Sequence, residues 1–234
     1  MTALTDHPIT KLRPPQHPDR IQLYSFPTPN GIKVSAMLEE SGLPYEAHKI
    51  SIMDDDQMTP EFLALNPNNK IPAIIDPDGP GGAPLPLFES GAILVYLAEK
   101  SGKFLPADPA ARYETLQWLM FQMGGLGPMM GQFGHFYKMA ADKTSDDYAK
   151  DRYTNEAKRL LGVLDAHLGG RDYVAAGEYT IADMAIWPWI KVIGFYGGEE
   201  VLGLDGFANV TRYLDMQSSR PASRKAVNIP ARDG

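Results

Sequence analysis

The residues able to do chemistry cluster in two stretches of this sequence. Asn66 to Lys100 reads NPNNKIPAIIDPDGPGGAPLPLFESGAILVYLAEK. Pro72 opens its first apolar run, Ile71 to Ile75. A cis X-Pro bond there would turn the amide and carbonyl of Ile71 out of a sheet and toward a ligand, although trans is the default. Glu89 and Ser90 stand where a helix begins, with Ile93, Leu94 and Leu97 at helical spacing behind them. A helix start offers free amide donors and the positive end of the dipole, which favour a ligand carboxylate. Ser90 could equally be a plain N-cap, and the residues alone leave both readings open. The second stretch, YSFPTPNGIKV, holds Tyr24, Ser25, Thr28 and Asn30 just after a short β-rich run. The hydroxyl of Thr28 and the amide of Asn30 are suitable donors to an anion, while Thr-Pro-Asn-Gly is also ordinary turn chemistry.

Composition narrows the chemistry. The 234 residues include no cysteine, which excludes disulfides, thiolate metal sites and a cysteine nucleophile. Any thiol must therefore come from a ligand. The histidines His7, His17, His48, His135 and His167 show no metal-binding spacing, so no metal is expected. There is no GxSxG elbow, no Walker loop and no GxGxxG after a strand. A formal charge of −7 disfavours nucleic acid as a partner. With 44% hydrophobic and 22% charged residues, the composition is that of a soluble globular protein. No apolar run approaches the ~20 residues that span a bilayer, and the N-terminus lacks the apolar core of a signal peptide, so a cytoplasmic protein without membrane association is expected.

The elements that must position these residues follow from periodicity and punctuation. Residues 1–20 are polar, contain Pro8, Pro14, Pro15 and Pro18, and show no hydrophobic period, which reads as an arm unable to form a core of its own. A strand is expected over Ile21 to Phe26, a helix from about Ile32 to Ser41 stopped by Gly42, and a second strand across Tyr45 to Ile52. An acidic loop, MDDDQM, precedes a short helix capped by Thr59 with Pro60 at its first position. With two more strands and the helix after Glu89, the order becomes β-α-β-α-β-β-α. That order implies a mixed four-stranded sheet in a domain over residues 21–103.

Beyond Phe104 long helical periods take over, giving an all-helical bundle domain over residues 108–228. Asp108-Pro109 marks one helix start, the glycines around Gly124 to Pro128 predict a kink or break, and a long helix is expected from Ser145 to about Leu168. Thr180 to Asp183, reading TIAD, is a capping box opening an apolar helix with Trp187 and Trp189 in its core. Two shorter helices are expected near Phe207 to Ser218 and after Pro221.

The strings NKIPAI and FESGAILVYLAEK, at this spacing, resemble the glutathione-binding half of a glutathione transferase, and the α/β plus all-α order is that family's thioredoxin-like domain followed by a helical one. YSFPTPNGIKV, NPNNKIPAI, QWLMFQMGGLGPMMGQFGHFY and IADMAIWPW are similar to the Nu class and the related yeast nitrogen-regulator branch. The resemblance implies that Thr28 and Asn30 face the glutathione sulfur, and that Ile71, before a cis Pro72, pairs with the cysteine backbone of the tripeptide. It places Glu89 and Ser90 at the γ-glutamyl end, Gln57 and Lys70 toward the glycine end, and Arg152 reaching in from the helical domain. It further implies a homodimer that binds one or two glutathiones per site and reduces small disulfides better than it conjugates electrophiles. A conventional conjugating transferase and a non-enzymatic interaction module of the same fold are the rival readings. The acidic residues Asp54 to Asp56 would repel an anionic ligand and are expected to point to solvent.

Overall fold

The computed structural model describes residues 3–143 and 147–231. These form two compact units, one of residues up to Lys103 together with those from Pro221, the other Phe104–Arg220. The first unit opens with the short helix α1 (Ile9–Leu12), then β1 (Ile21–Ser25), α2 (Pro29–Ser41), β2 (Tyr45–Lys49), α3 (Pro60–Leu63), β3 (Ala73–Asp76), β4 (Leu85–Phe88) and α4 (Ser90–Ser101). The strands lie in the order β2-β1-β3-β4. β1 runs parallel to β2, as a crossover through α2 requires, while β3 is antiparallel to both β1 and β4. The expected mixed sheet of a thioredoxin-like domain is therefore present.

Local chemistry fixes the element ends. Thr28 caps α2 by accepting the Gly31 amide, Pro29 occupies its first position, and Gly42 closes it at φ 74°. The helix thus begins three residues earlier than its apolar period suggests, because the cap and not the period sets the start. Residues Gly31 to Leu38 are all buried, since α2 packs against both α4 and a returning C-terminal helix.

The arm packs on the body of the first unit. Leu4 and Ile9 sit in one cluster with Tyr24, Ile50, Phe62 and Ile75. Arg13 donates to the Lys49 carbonyl and pairs with Asp56 at 2.6 Å, and the amides of Gln16 and His17 donate to the Glu46 carboxylate. Three apolar side chains, Leu4, Ile9 and Leu12, and a few polar ties fasten the segment without any periodic signal.

In the second unit, α5 (Pro109–Phe121) passes through a π-helical stretch at Gln122–Leu126 into α6 (Gly127–Gly134), and a second π stretch covers His135–Met139. The glycines widen the helix instead of breaking it. Gly134 has a packing reason as well: a Cβ there would lie 2.2–2.5 Å from ring carbons of Tyr196. The next helix, α7, spans Tyr148–His167; Ser145, its expected start, lies outside the described residues. Then come α8 (Ile181–Tyr196), α9 (Glu199–Leu202) and α10 (Ala208–Ser219). The capping box of Thr180 and Asp183 opens α8, Trp187 is fully buried, and Trp189 is half-buried.

The last helix, α11 (Pro221–Ala226), belongs to the first unit, whereas the helical domain was expected to run to residue 228. It packs on α2, Lys225 pairs with Glu39 at 3.1 Å, and Ser35 Oγ donates to the Ile229 carbonyl. Among the described residues no helix is long and apolar enough to cross a membrane.

Candidate active site

Strand register collects the singled-out residues of the first unit at one end of the sheet. Tyr24 pairs with Ala73, and Ala73 with Phe88, so the end of β1, the start of β3 and the end of β4 lie side by side. The segment leading into α2 leaves from that end with Thr28 and Asn30, Ile71 and Pro72 enter there, and Glu89 and Ser90 follow β4 there. β2 is parallel to β1, so the loop carrying Gln57 also departs from this end.

Each position has a distinct local setting. Thr28 Oγ1 accepts the Gly31 amide at 3.3 Å, and an oxygen used this way keeps its own proton for donation. Asn30 is half-buried in the first turn of α2. Gly31 is held against the preceding strand end: a Cβ would lie 2.0 Å from the Phe26 carbonyl oxygen and 2.6 Å from Ser25 Oγ. Because the nearest atom is backbone, Gly31→Ala should dislodge the start of α2 and cost about 1–3 kcal/mol, read as a lowered urea midpoint together with weakened ligand binding. An unchanged midpoint would show that the turn yields freely.

The Ile71–Pro72 bond is cis, with Ile71 half-buried and Pro72 buried. Asn66 Nδ2 donates to the Lys70 carbonyl at 2.6 Å, shaping the entry to this step, while the Lys70 side chain is exposed. At the start of α4, Glu89 occupies the cap position at φ 71°, ψ 111° and makes no side-chain cap bond. A non-glycine residue at positive φ is strained. Ser90 is the first helical residue, not the N-cap, and is 4% exposed. Its Oγ accepts from Lys33 Nζ at 3.3 Å.

Lys33 is the residue that the sequence reading missed. It is 1% exposed, and burial pulls its ammonium down to about 7, with the charge of Glu89 acting the other way. A signal was available, since Lys33 lies one turn before Met37 on the same helix face that enters the core.

Gln57 is half-buried, with its Nε2 3.3 Å from Asp55 Oδ1 and its Oε1 buried without a hydrogen-bond partner. The acidic loop does not behave uniformly. Asp54 and Asp55 are exposed as expected, but Asp56 turns inward to Arg13 and accepts the Ser51 amide at 2.9 Å. Arg152 lies exposed on α7 in the second unit, on the wall of a cavity of about 670 Å³ shared with Met129, Tyr148 and Tyr153. Glu156, four residues on, accepts from Nε and Nη2 of Arg159, each at 2.8 Å. Tyr24 is wholly buried and stacks on His48 with ring centres 4.8 Å apart, which removes it from any ligand-facing role. Among the described residues no group of three or more His, Asp or Glu side chains is placed to hold a metal ion.

Residues 28–100 match the glutathione S-transferase N-terminal domain, and residues 123–221 match the C-terminal domain of the same proteins. Disulfide-bond oxidoreductase YghU of Escherichia coli (strain K12) is 47% identical over 219 residues, covering 90% of this chain and 74% of the relative. The chain belongs to the glutathione transferase family. Among solved glutathione transferases, one from Pseudomonas putida with one glutathione disulfide bound per subunit superposes with a TM-score of 0.97 at 59% identity, covering 98% of this chain and all of the other. Another, from Burkholderia graminis with two glutathione molecules bound per subunit, gives a TM-score of 0.97 at 56% identity over 99% of this chain and 97% of the other. In this glutathione transferase, the end of the sheet described above is the candidate site. It presents two hydroxyls and an amide with no thiol and no metal cluster among the described residues, a set suited to binding and polarising an anion.

Proposed function

We propose that this glutathione transferase is of the Nu type and acts mainly as a glutathione-dependent disulfide-bond reductase, a cytoplasmic homodimer binding one or two glutathiones at each site. The observation that carries this reading is the absence of cysteine in a chain so similar to a disulfide-bond oxidoreductase. Reduction of a disulfide needs two thiols, so both must be glutathione's. The solved relatives, one with glutathione disulfide and one with two glutathiones, fit the product and the reactant pair of that chemistry. A cytoplasmic setting suits it because glutathione is kept reduced there.

In this reading Thr28 and Asn30 donate to the glutathione sulfur and hold it as thiolate. Ile71 pairs through its backbone with the cysteine of the tripeptide, Glu89 and Ser90 take the γ-glutamyl amine and carboxylate, Gln57 and Lys70 lie toward the glycine end, and Arg152 reaches from α7. The first thiolate attacks one sulfur of the substrate disulfide; a mixed disulfide forms and one substrate thiolate leaves, taking a proton. The second glutathione thiolate then attacks the glutathione sulfur of the mixed disulfide, releasing the other substrate thiol and leaving glutathione disulfide. The substrate gains two electrons and the two glutathiones lose them.

The test is a comparison of substrates. Turnover of hydroxyethyl disulfide should exceed that of a small aromatic chloride such as chlorodinitrobenzene. A strong preference for the chloride would make the protein a conjugating transferase. Absence of any measurable glutathione binding would make it an interaction module.

A further inference from the structure

The loop that carries Gln57 is held mainly by polar contacts. Ile52, Met53 and Met58 leave their side chains exposed, so apolar packing fixes little of the segment between Ser51 and Thr59. Asp56 is its hub. The Asp56 amide donates to the Ser51 carbonyl at 3.1 Å, its carboxylate accepts the Ser51 amide at 2.9 Å, and its carbonyl accepts the Thr59 hydroxyl at 2.7 Å. The same carboxylate oxygen accepts from Arg13 Nη2 at 2.6 Å.

Arg13 belongs to the N-terminal arm, 43 residues away, and is itself fixed in place. Its Nε donates at 2.8 Å to the carbonyl of Lys49, the last residue of β2, and its Nη1 donates to the Leu12 carbonyl at 3.1 Å. Leu12 in turn packs on the cluster that includes Ile50 and Phe62. A planar guanidinium holds several acceptors in a fixed relation, which an ammonium on a flexible stem does not. Arg13 therefore ties the end of β2 to Asp56, and Gln57 is the next residue.

We infer that Arg13 is a positioning residue for the glycine end of the ligand: clamping Asp56 against the end of β2 sets where the loop presents Gln57, and makes the N-terminal arm part of the site's construction. This rests on the reading that Gln57 lies toward the glycine of glutathione. Arg13 acts through Asp56 and need not touch the ligand. The two side chains are 30% and 20% exposed, and pairs open to solvent stabilise a fold by little, so variants that break this one should remain folded.

The experiment measures binding to the whole protein by titration calorimetry with two probes: glutathione, and γ-glutamylcysteine, which lacks only the glycine. Wild type should prefer glutathione. Arg13→Met should bind glutathione about three- to tenfold more weakly, the range of one lost hydrogen bond, and γ-glutamylcysteine as wild type does. Asp56→Asn, which keeps an oxygen for the Ser51 amide but gives up the ion pair, should show the same selective loss, and Arg13→Lys should restore part of it. In a Gln57→Ala background Arg13→Met should add nothing, because the side chain being positioned is gone. Equal weakening for both probes, an unchanged preference for glutathione in Arg13→Met, or a further loss in the Gln57→Ala background would each overturn the assignment. A wild type that binds both probes alike would overturn the placement of Gln57, and the role of Arg13 with it. Absence of glutathione binding in wild type would overturn the proposed function and this role together.

Discussion

Asp183→Ala should lower stability by about 3–5 kcal/mol, the range seen when a buried polar network loses its central partner. The carboxylate sits at 0% exposure and accepts from the Val174 amide at 3.0 Å, the Thr180 amide at 2.9 Å, the Thr180 hydroxyl at 3.1 Å and the Tyr213 hydroxyl at 3.1 Å. Val174, Thr180 and Tyr213 are themselves fully buried, so alanine would strand donors that water cannot reach. The loss would remove a large share of a typical folding free energy of about 5–15 kcal/mol, and the variant should show a much lower urea midpoint. A change under about 1 kcal/mol would mean that the network is replaceable, as a surface cap would be. Asp183→Asn should not rescue it, because one carboxylate oxygen becomes an NH₂ facing the Thr180 amide donor.

The same group sets a pH signature. Burial pushes the Asp183 carboxyl up to about 6, against the hydrogen bonds that favour its charged form. An acid whose value is raised by folding binds its proton more tightly in the folded chain. Its contribution is therefore largest below the ordinary carboxylate range and falls as pH climbs from about 4 to about 6, then stays level. The stability gap between wild type and Asp183→Ala should accordingly be wider at acid pH than at neutral pH, as measured by paired urea titrations.

What could be read in advance was local. Thr59-Pro60, Asp108-Pro109 and the TIAD box each act on the backbone within one turn, and each caps the helix that its letters announce. Pro72 and the Glu89-Ser90 pair were visible for the same reason. What escaped depends on contacts between distant residues. Ser90 looked like a possible N-cap because nothing nearby shows that Lys33 claims its oxygen. Leu4 and Ile9 carry no period, yet they fill one cluster with Tyr24 and Phe62. The helix after Pro221 reads like its neighbours but returns to α2 through Lys225 and Glu39. The glycines around Gly124 to Pro128 read as a break, yet the chain passes through them as a π-helical stretch into α6.

The largest functional effect is expected at Thr28 and Asn30. A thiol with the ordinary value of about 8.5 is only a few per cent ionised near neutral pH. Lowering that value by about two units needs roughly 2.7 kcal/mol of preference for the anion, and two hydrogen bonds to a charged acceptor, each worth about 1.5–3 kcal/mol, suffice. Thr28→Ala and Asn30→Ala should each reduce kcat/KM for hydroxyethyl disulfide by about tenfold or more, or at least ~1.4 kcal/mol of transition-state stabilisation, and the double variant by about a hundredfold if the two donors act independently. Thr28→Ala also removes the cap of α2, worth about 1 kcal/mol of stability, so Thr28→Ser is the control: it keeps the capping oxygen and the donated proton, and should keep most of the rate. Tyr24→Phe is the opposite control. Burial drives the Tyr24 phenol above its usual range, and its oxygen has no hydrogen-bond partner among the described residues, so its loss should leave the rate unchanged. Ultraviolet titration of bound glutathione gives the direct reading, with the thiolate forming at lower pH than in free solution and reverting in the double variant. Full activity in both alanine variants with an inactive Tyr24→Phe would transfer the sulfur to the tyrosine, and would require β1 to open, because Tyr24 is closed off between the sheet and the arm that carries Leu4 and Ile9.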